Sequence, residues 1–241
     1  MTGNESAVSP GSAGVSGAVG GAGVSAADQR VHDRFWRTHR HRFELIPYVL
    51  PLLADGEPVT VDQIASAAGR SVPDTAAALR QHPGVDWDER GRVAGLGLSL
   101  RPTPHRFSFG GQIVYGWCAT DVLIFPVILG RAGVIESACF ATGQPIRIQV
   151  TPDEVCSVDP AGAVVSLLRP DSAADMRAEA CDAGGFFVSR DAAAPWVERH
   201  PDGMVHTVAA DFALNRETFR RFGWAGLLDQ PGPPVRPDEV P

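Results

Sequence analysis

The chain has 241 residues, a net charge of −7, 44% apolar and 20% charged residues. That balance is ordinary for a globular protein and argues against broad nucleic-acid affinity, which requires clustered positive charge. Its 21 basic side chains are all arginine, and no apolar run approaches the roughly 20 residues that cross a bilayer.

Residues 1–27 are rich in Gly, Ala, Ser and Val and lack the basic start and compact apolar core of a secretory signal. They read as a disordered leader. From Asp28 to Leu53 the pattern is helical, with Arg30, Arg34, Arg37, Arg40 and Arg42 interleaved with Phe35, Trp36 and Phe43. A basic, aromatic helix suits a nucleic-acid or membrane surface, but equally an amphipathic helix docked on the body, which is the reading adopted here.

Residues 60–100 read as a winged-helix-like unit. Val61 to Gly69 forms one short helix stopped by Gly69. Ser71 caps a second that runs through Leu79, with Pro73 and Asp74 in its first turn. Val85 to Leu100 reads as a hairpin turning at Asp88-Glu89-Arg90-Gly91. Such a unit often reads DNA. Here the second helix offers only Arg80 as a fixed cation, beside Asp74, so a structural use is expected.

The body from His105 to Asp229 alternates strands and helices. Arg106 to Val114 suggests one or two strands, and Tyr115 onward passes from strand to helix. Val134 to Phe140 and Pro145 to Val150 form a hairpin, with Ile146, Ile148 and Val150 alternating against Arg147 and Gln149. Ala163 to Leu168 is a strand, and Asp171 to Ala180 a helix capped by Asp171 or Ser172. Phe186 to Ser189 is a strand, and Ala192 to His200 and Ala209 to Phe222 are helices. Residues 230–241 form a flexible, proline-rich tail. The whole is α+β, with mixed and largely antiparallel sheets surrounded by helices and preceded by a winged-helix-like subdomain over 28–104.

Four cysteines, Cys118, Cys139, Cys156 and Cys181, lie far apart without a Cys-x-x-Cys pair. That pattern is neither a disulfide scaffold nor a closed zinc site; free thiols in a reducing cytosol are expected. Cys118 and Asp121 stand three residues apart at the start of the apolar run Val122-Leu123-Ile124-Phe125. On a helix they share one face. The dipole at a helix start favours thiolate, the nucleophile and soft-metal ligand, although a buried, inert cysteine satisfies the same spacing. Burial raises an Asp pKa and makes it a general acid, although a first-turn Asp also simply satisfies the dipole. Cys181 precedes Gly184-Gly185, where the backbone has unusual freedom. Taken alone it is an ordinary cysteine.

The runs Tyr115-Gly116-Trp117-Cys118-Ala119-Thr120-Asp121-Val122-Leu123-Ile124-Phe125-Pro126, Cys139-Phe140-Ala141-Thr142-Gly143 and Val158-Asp159-Pro160-Ala161-Gly162-Ala163-Val164-Val165-Ser166-Leu167 closely resemble the organomercurial (alkylmercury) lyases of bacterial mercury resistance. So does the placement of Cys181 five residues before Phe186-Phe187. The resemblance extends from about Ile46 to about Phe222. It implies that Cys118, Asp121 and Cys181 are catalytic, with the thiols and the carboxylate transiently holding mercury as substrate and product. It further implies a structural role for Cys139, a winged-helix-like region packed on the body, and a cytoplasmic enzyme. No organic cofactor or resident metal is required; low-molecular thiols or a mercuric reductase take up Hg(II). Asp182 stands where some relatives have a second cysteine, and Cys156 has no counterpart. Trp117, Leu123, Ile124 and Phe125 are candidates for an apolar pocket around the organic group. The alternative is a non-catalytic, thiol-based mercury-binding or metal-sensing winged-helix regulator.

Overall fold

In the computed structural model, residues 24–82, 84–172 and 175–229 are described. The leader assigned to 1–27 lies almost wholly outside this range, as does the tail at 230–241. Helix α1 (Ala26–His39) starts behind Ser25, whose side chain accepts the Asp28 N–H. The helical run to Leu53 is interrupted by a 3₁₀ turn at Arg40–Phe43 before α2 (Ile46–Leu53). Pro47 explains the restart, because it suits a helix's first turn and opposes uninterrupted passage from the preceding one.

Helix α3 (Val61–Ala68) carries a Thr60/Gln63 capping box and ends on Gly69 at φ +60°. Helix α4 (Val72–Gln81) is capped by Ser71 as expected, its side chain accepting the Asp74 N–H. The wing follows as β1 (Asp86–Trp87) and β2 (Val93–Leu96), then β3 (Leu98–Ser99). The body supplies β4 (His105–Phe109), β5 (Gln112–Gly116), α5 (Ala119–Leu129), β6 (Gly133–Ala138), β7 (Pro145–Val150) and β8 (Val155–Asp159).

These strands form one eight-stranded antiparallel sheet in the order β1-β2-β3-β5-β4-β6-β7-β8. The wing is therefore built into the sheet: Leu98 pairs with Gly116 and Ser99 with Tyr115. On β7, Ile146, Ile148 and Val150 are buried and their neighbours exposed, as the alternation requires. Strand β8 was not foreseen. It is an edge strand with no buried face, so its sequence carries no alternating signal.

Strands β9 (Val164–Leu167), β10 (Phe186–Phe187) and β11 (Met204–Thr207) form a second antiparallel sheet, flanked by α6 (Arg190–Arg199) and α7 (Val208–Arg221). Of the helix expected over Asp171–Ala180, residues 173 and 174 lie outside the described residues, and the described part holds a π-helical turn at Arg177–Cys181. Its N-cap position is Met176, neither Asp171 nor Ser172, and the Asp175 carboxylate just before it accepts the N–H groups of Arg177 and Ala178. Ser189 ends no strand; its hydroxyl caps α6.

Helix α5 lies at the centre, packed against β4, β5, β6, β9, α2 and α7. It is apolar on all sides because all sides are covered: Val122, Leu123, Phe125, Val127, Ile128 and Leu129 are buried. Gly116 lets β5 close on this helix. A Cβ there would lie 2.7 Å from Val122 Cγ1 and 3.0 Å from Asp121 Cβ, so only glycine brings the strand end against the first turn of α5.

Candidate active site

Cys118 is the N-cap of α5, with extended backbone angles of φ −135° and ψ 172°. The Asp121 carboxylate accepts the Cys118 N–H at 3.0 Å, and the Asp121 N–H faces the Cys118 thiol. This is a capping box with cysteine in the place usual for serine or threonine. It fixes both side chains on the first turn of the most buried helix.

Cys181 arrives from the other sheet. It ends the π-helical turn, and the following loop is anchored at several points. Gly185 N–H bonds to Ser166 Oγ at 3.1 Å, and the Trp196 indole donates to the Ala183 carbonyl at 2.6 Å. Gly184 permits the approach, since a Cβ there would sit 2.6 Å from the Ser166 carbonyl oxygen. One ligand atom each from Cys118, Asp121 and Cys181 then lies within 4.8 Å of the others. All four cysteines are free thiols; Cys139 is buried in the β6–β7 turn and Cys156 is exposed on β8, each outside this cluster. Asp182 is exposed and faces Arg177 at 3.9 Å.

The electrostatics differ from the sequence expectation for Cys118. Its pKa is raised, not lowered. The hydrogen bond with Cys181 contributes most, followed by burial and the Asp121 charge, and together these outweigh the helix start. Asp121 behaves as expected: burial lifts it from 3.8 to about 6, against the hydrogen bonds at Cys118 and the positive charge of Arg169. The cluster thus rests near neutral pH with the Asp121 carboxyl largely ionised and the proton held on Cys118.

Two cavities meet at Asp121 and Cys181. The inner one, about 80 Å³, has Cys118, Asp121 and Cys181 on one wall and Trp36, Phe43, Ile124 and Phe125 among its apolar lining. The outer one, about 450 Å³, opens between the helical N-terminal region and the Cys181 turn. Of the foreseen pocket residues, Ile124 and Phe125 line the inner cavity and Trp117 the outer, whereas Leu123 is wholly buried in the core. Trp117 is held firmly. Its indole donates to Asp86 at 3.3 Å, and the Arg177 guanidinium lies 4.7 Å from its ring centroid.

The sequence pattern places Trp36 and Phe43 on a docking face. In the structure they dock and line the cavity together, and Arg169, absent from the sequence reading, joins them with its guanidinium 4.8 Å over the Phe35 ring. No motif marks Arg169, because its proximity arises only when the segment after β9 reaches Phe35 of α1.

A family profile described as alkylmercury lyase matches residues 98–220, and one described as the helix-turn-helix domain of alkylmercury lyase matches residues 39–97. The alkylmercury lyase of Streptomyces lividans is 49% identical over 168 residues, 70% of this chain and 78% of that protein. The Bacillus cereus alkylmercury lyase is 46% identical over 168 residues, with 70% and 77% coverage. The crystal structure of the mercury-bound form of MerB2 shares the fold, with a TM-score of 0.64 at 21% identity over 80% of this chain and 97% of that one. Adjacent profile matches spanning residues 39–220, together with this level of identity, show that the chain belongs to the alkylmercury lyase family.

Proposed function

We propose that Cys118, Cys181 and Asp121 are the residues with which this alkylmercury lyase cleaves its substrate, by protonolysis of the carbon–mercury bond of an organomercurial. The observation that carries this assignment is the convergence of two thiols and a carboxyl group within 4.8 Å, beside an apolar cavity. Mercury is a soft cation and thiolate sulfur is its natural partner. The resting cluster keeps a proton on Cys118 and an ionised Asp121 next to it. As mercury binds both sulfurs, Asp121 accepts the Cys118 proton, and a proton on Cys181 leaves with the ligand that mercury sheds. Two thiolates on mercury push electron density towards carbon. Asp121 returns the proton there, RH departs, and Hg(II) remains on the cysteines.

The apolar wall beside Asp121 has a stated purpose. It seats the organic group and withholds water, so that the carboxyl proton is available to carbon. Low-molecular thiols or a mercuric reductase remove Hg(II). A reducing, cytoplasmic compartment suits two neighbouring thiols that must remain unlinked. Among the described residues no helix is long and apolar enough to cross a membrane.

Residues 28–104 act as a helical and winged cover on the catalytic body at 105–229, and not as a DNA reader. Fixing β2 and β3 into the main sheet supports this use. Hydrocarbon release from methyl- or phenylmercury in excess thiol tests the assignment. C118A and C181A are expected to lose release by at least about 10²-fold, the scale on which a covalent or acid–base group contributes. Undiminished turnover in either variant refutes the role of that cysteine.

A further inference from the structure

We propose that Asp86, the first residue of β1, is a positioning residue for carbon–mercury cleavage: it holds together the two segments that carry Cys118 and Cys181. The inference rests on the assignment of those cysteines above and concerns what fixes their separation.

One carboxylate serves both segments. Asp86 Oδ2 accepts the Trp117 indole N–H at 3.3 Å, and Trp117 is the chain neighbour of Cys118. Asp86 Oδ1 accepts from the Arg177 guanidinium at 3.3 Å, and Arg177 opens the π-helical turn that Cys181 ends. Trp117 and Arg177 also touch, the guanidinium lying 4.7 Å from the ring centroid, so the side chains close a triangle between the two cysteine segments. The other acid near Arg177 is Asp182, which stands farther off at 3.9 Å and belongs to the same segment as Cys181, so it ties nothing across. Downstream of Cys181 the loop is bonded to Ser166 of β9 and Trp196 of α6. Upstream, Arg177 reaches Asp86.

The wing is shaped for this contact. Its β1–β2 pairing shifts register between Asp86 and Trp87, an irregularity that re-aims a side chain. Opposite Asp86, Gly95 leaves the space, since a Cβ there would lie 2.8 Å from Asp86 Oδ2. The Ser99 hydroxyl of β3 donates to the same oxygen at 3.0 Å and holds the carboxylate against the main sheet. The Asp86 side chain is 16% exposed, and a carboxylate so placed costs free energy unless donors surround it. Asp86 lines neither cavity and lies outside the Cys118, Asp121 and Cys181 cluster, so it acts through Trp117 and Arg177. Two sulfurs must meet one mercury, and a misplacement of about 1 Å costs on the order of 10²-fold in rate.

D86N keeps an oxygen for the indole and the hydroxyl but loses the ion pair. R177Q cuts the same tie from the other side and decides the question should D86N fail to fold. Each is expected to slow single-turnover methane release from methylmercury by roughly ten- to a hundred-fold. The double variant should be about as slow as the singles, because one tie is lost once. D86E, which keeps the charge, should recover most of the rate. A second measurement reads the separation of the thiols. After one equivalent of Hg(II) in thiol-free buffer, iodoacetamide and peptide mapping should find Cys118 and Cys181 protected together in the wild-type chain, and one of them alkylated in D86N and R177Q. Joint protection in both variants overturns the tether whatever their rates, and so do losses that multiply in the double variant. No methane from the wild-type chain overturns the cysteine assignment instead.

Discussion

Asp121, the proposed proton carrier, is also a buried helix-start residue, and that burial links its protonation to the stability of the fold. Its folded pKa of about 6 exceeds the ordinary 3.8, so its proton stabilises the native state at low pH. That stability is present below about pH 4 and lost as pH rises through about 6. At pH 7.5 the ionised group is a burden, which Asp121→Asn removes while keeping an oxygen to accept the Cys118 N–H. We expect D121N to be more stable than the wild-type chain by about 1–3 kcal/mol at pH 7.5, with the gain vanishing near pH 4, as read by thermal melting. In catalysis the sign reverses: kcat/KM should fall as pH drops below about 6, because protonated Asp121 can no longer take the thiol proton. The Asp121 shift was legible in sequence, since a carboxylate directly precedes Val122-Leu123-Ile124-Phe125. The Cys118 shift was not. Its leading cause is the thiol of Cys181, which reaches it from a different sheet, and the helix-start argument by itself gave the wrong direction.

At the scale of elements, the lining of the inner cavity depends on how α1 is docked. His206 of β11 faces Asp28 of α1 at 3.3 Å and buried Asp211 of α7 at 3.5 Å, and His32 of α1 bonds Thr218 of α7 at 2.8 Å. Burial alone would lower the His206 pKa, but the two carboxylates outweigh it and raise it. A raised histidine contributes stability that is complete below its unfolded value near 6.5 and lost as pH rises through the higher folded value. Thermal melting should therefore place wild type above H206Q at pH 6, with the gap narrowing towards pH 9; a gap independent of pH would contradict the charged pairing. Caps with local signatures, Ser71 and Gly69, could be read directly. Pro47 carries a signal for the break at Arg40–Phe43, which an uninterrupted helix over Asp28–Leu53 overlooks, whereas the brevity of the Cys181 turn could not be read, because arginine and alanine continue a helix as readily as they end one. Strand β11 has only four residues, and its inward His206 hides the alternation.

For the molecule as a whole, we propose that the region over 28–104 is cover more than reader. Trp36 and Phe43 close the inner cavity, Arg42 and His82 border the outer one, and the wing continues the main sheet through β3 and β5. With a net charge of −7 and Arg80 as the basic residue of α4, the chain should not retard duplex DNA even at low salt; a salt-dependent shift would contradict this assignment. The α+β class and the order of most elements followed from periodicity and turn residues. The meeting of Cys118 with Cys181 did not, because it depends on Gly116 and Gly184 admitting close backbone contacts between sheet, helix and loop. Motif resemblance, not spacing, supplied that pairing. The central claim is that Asp121 moves the proton to carbon while the two cysteines hold mercury. Single-turnover methane release from methylmercury by D121N, with protein-bound mercury measured in the same sample, tests it most directly. We predict that D121N retains about one mercury per chain while releasing methane at least roughly 10²-fold more slowly than wild type. Methane release at the wild-type rate with mercury bound would contradict the assignment of Asp121.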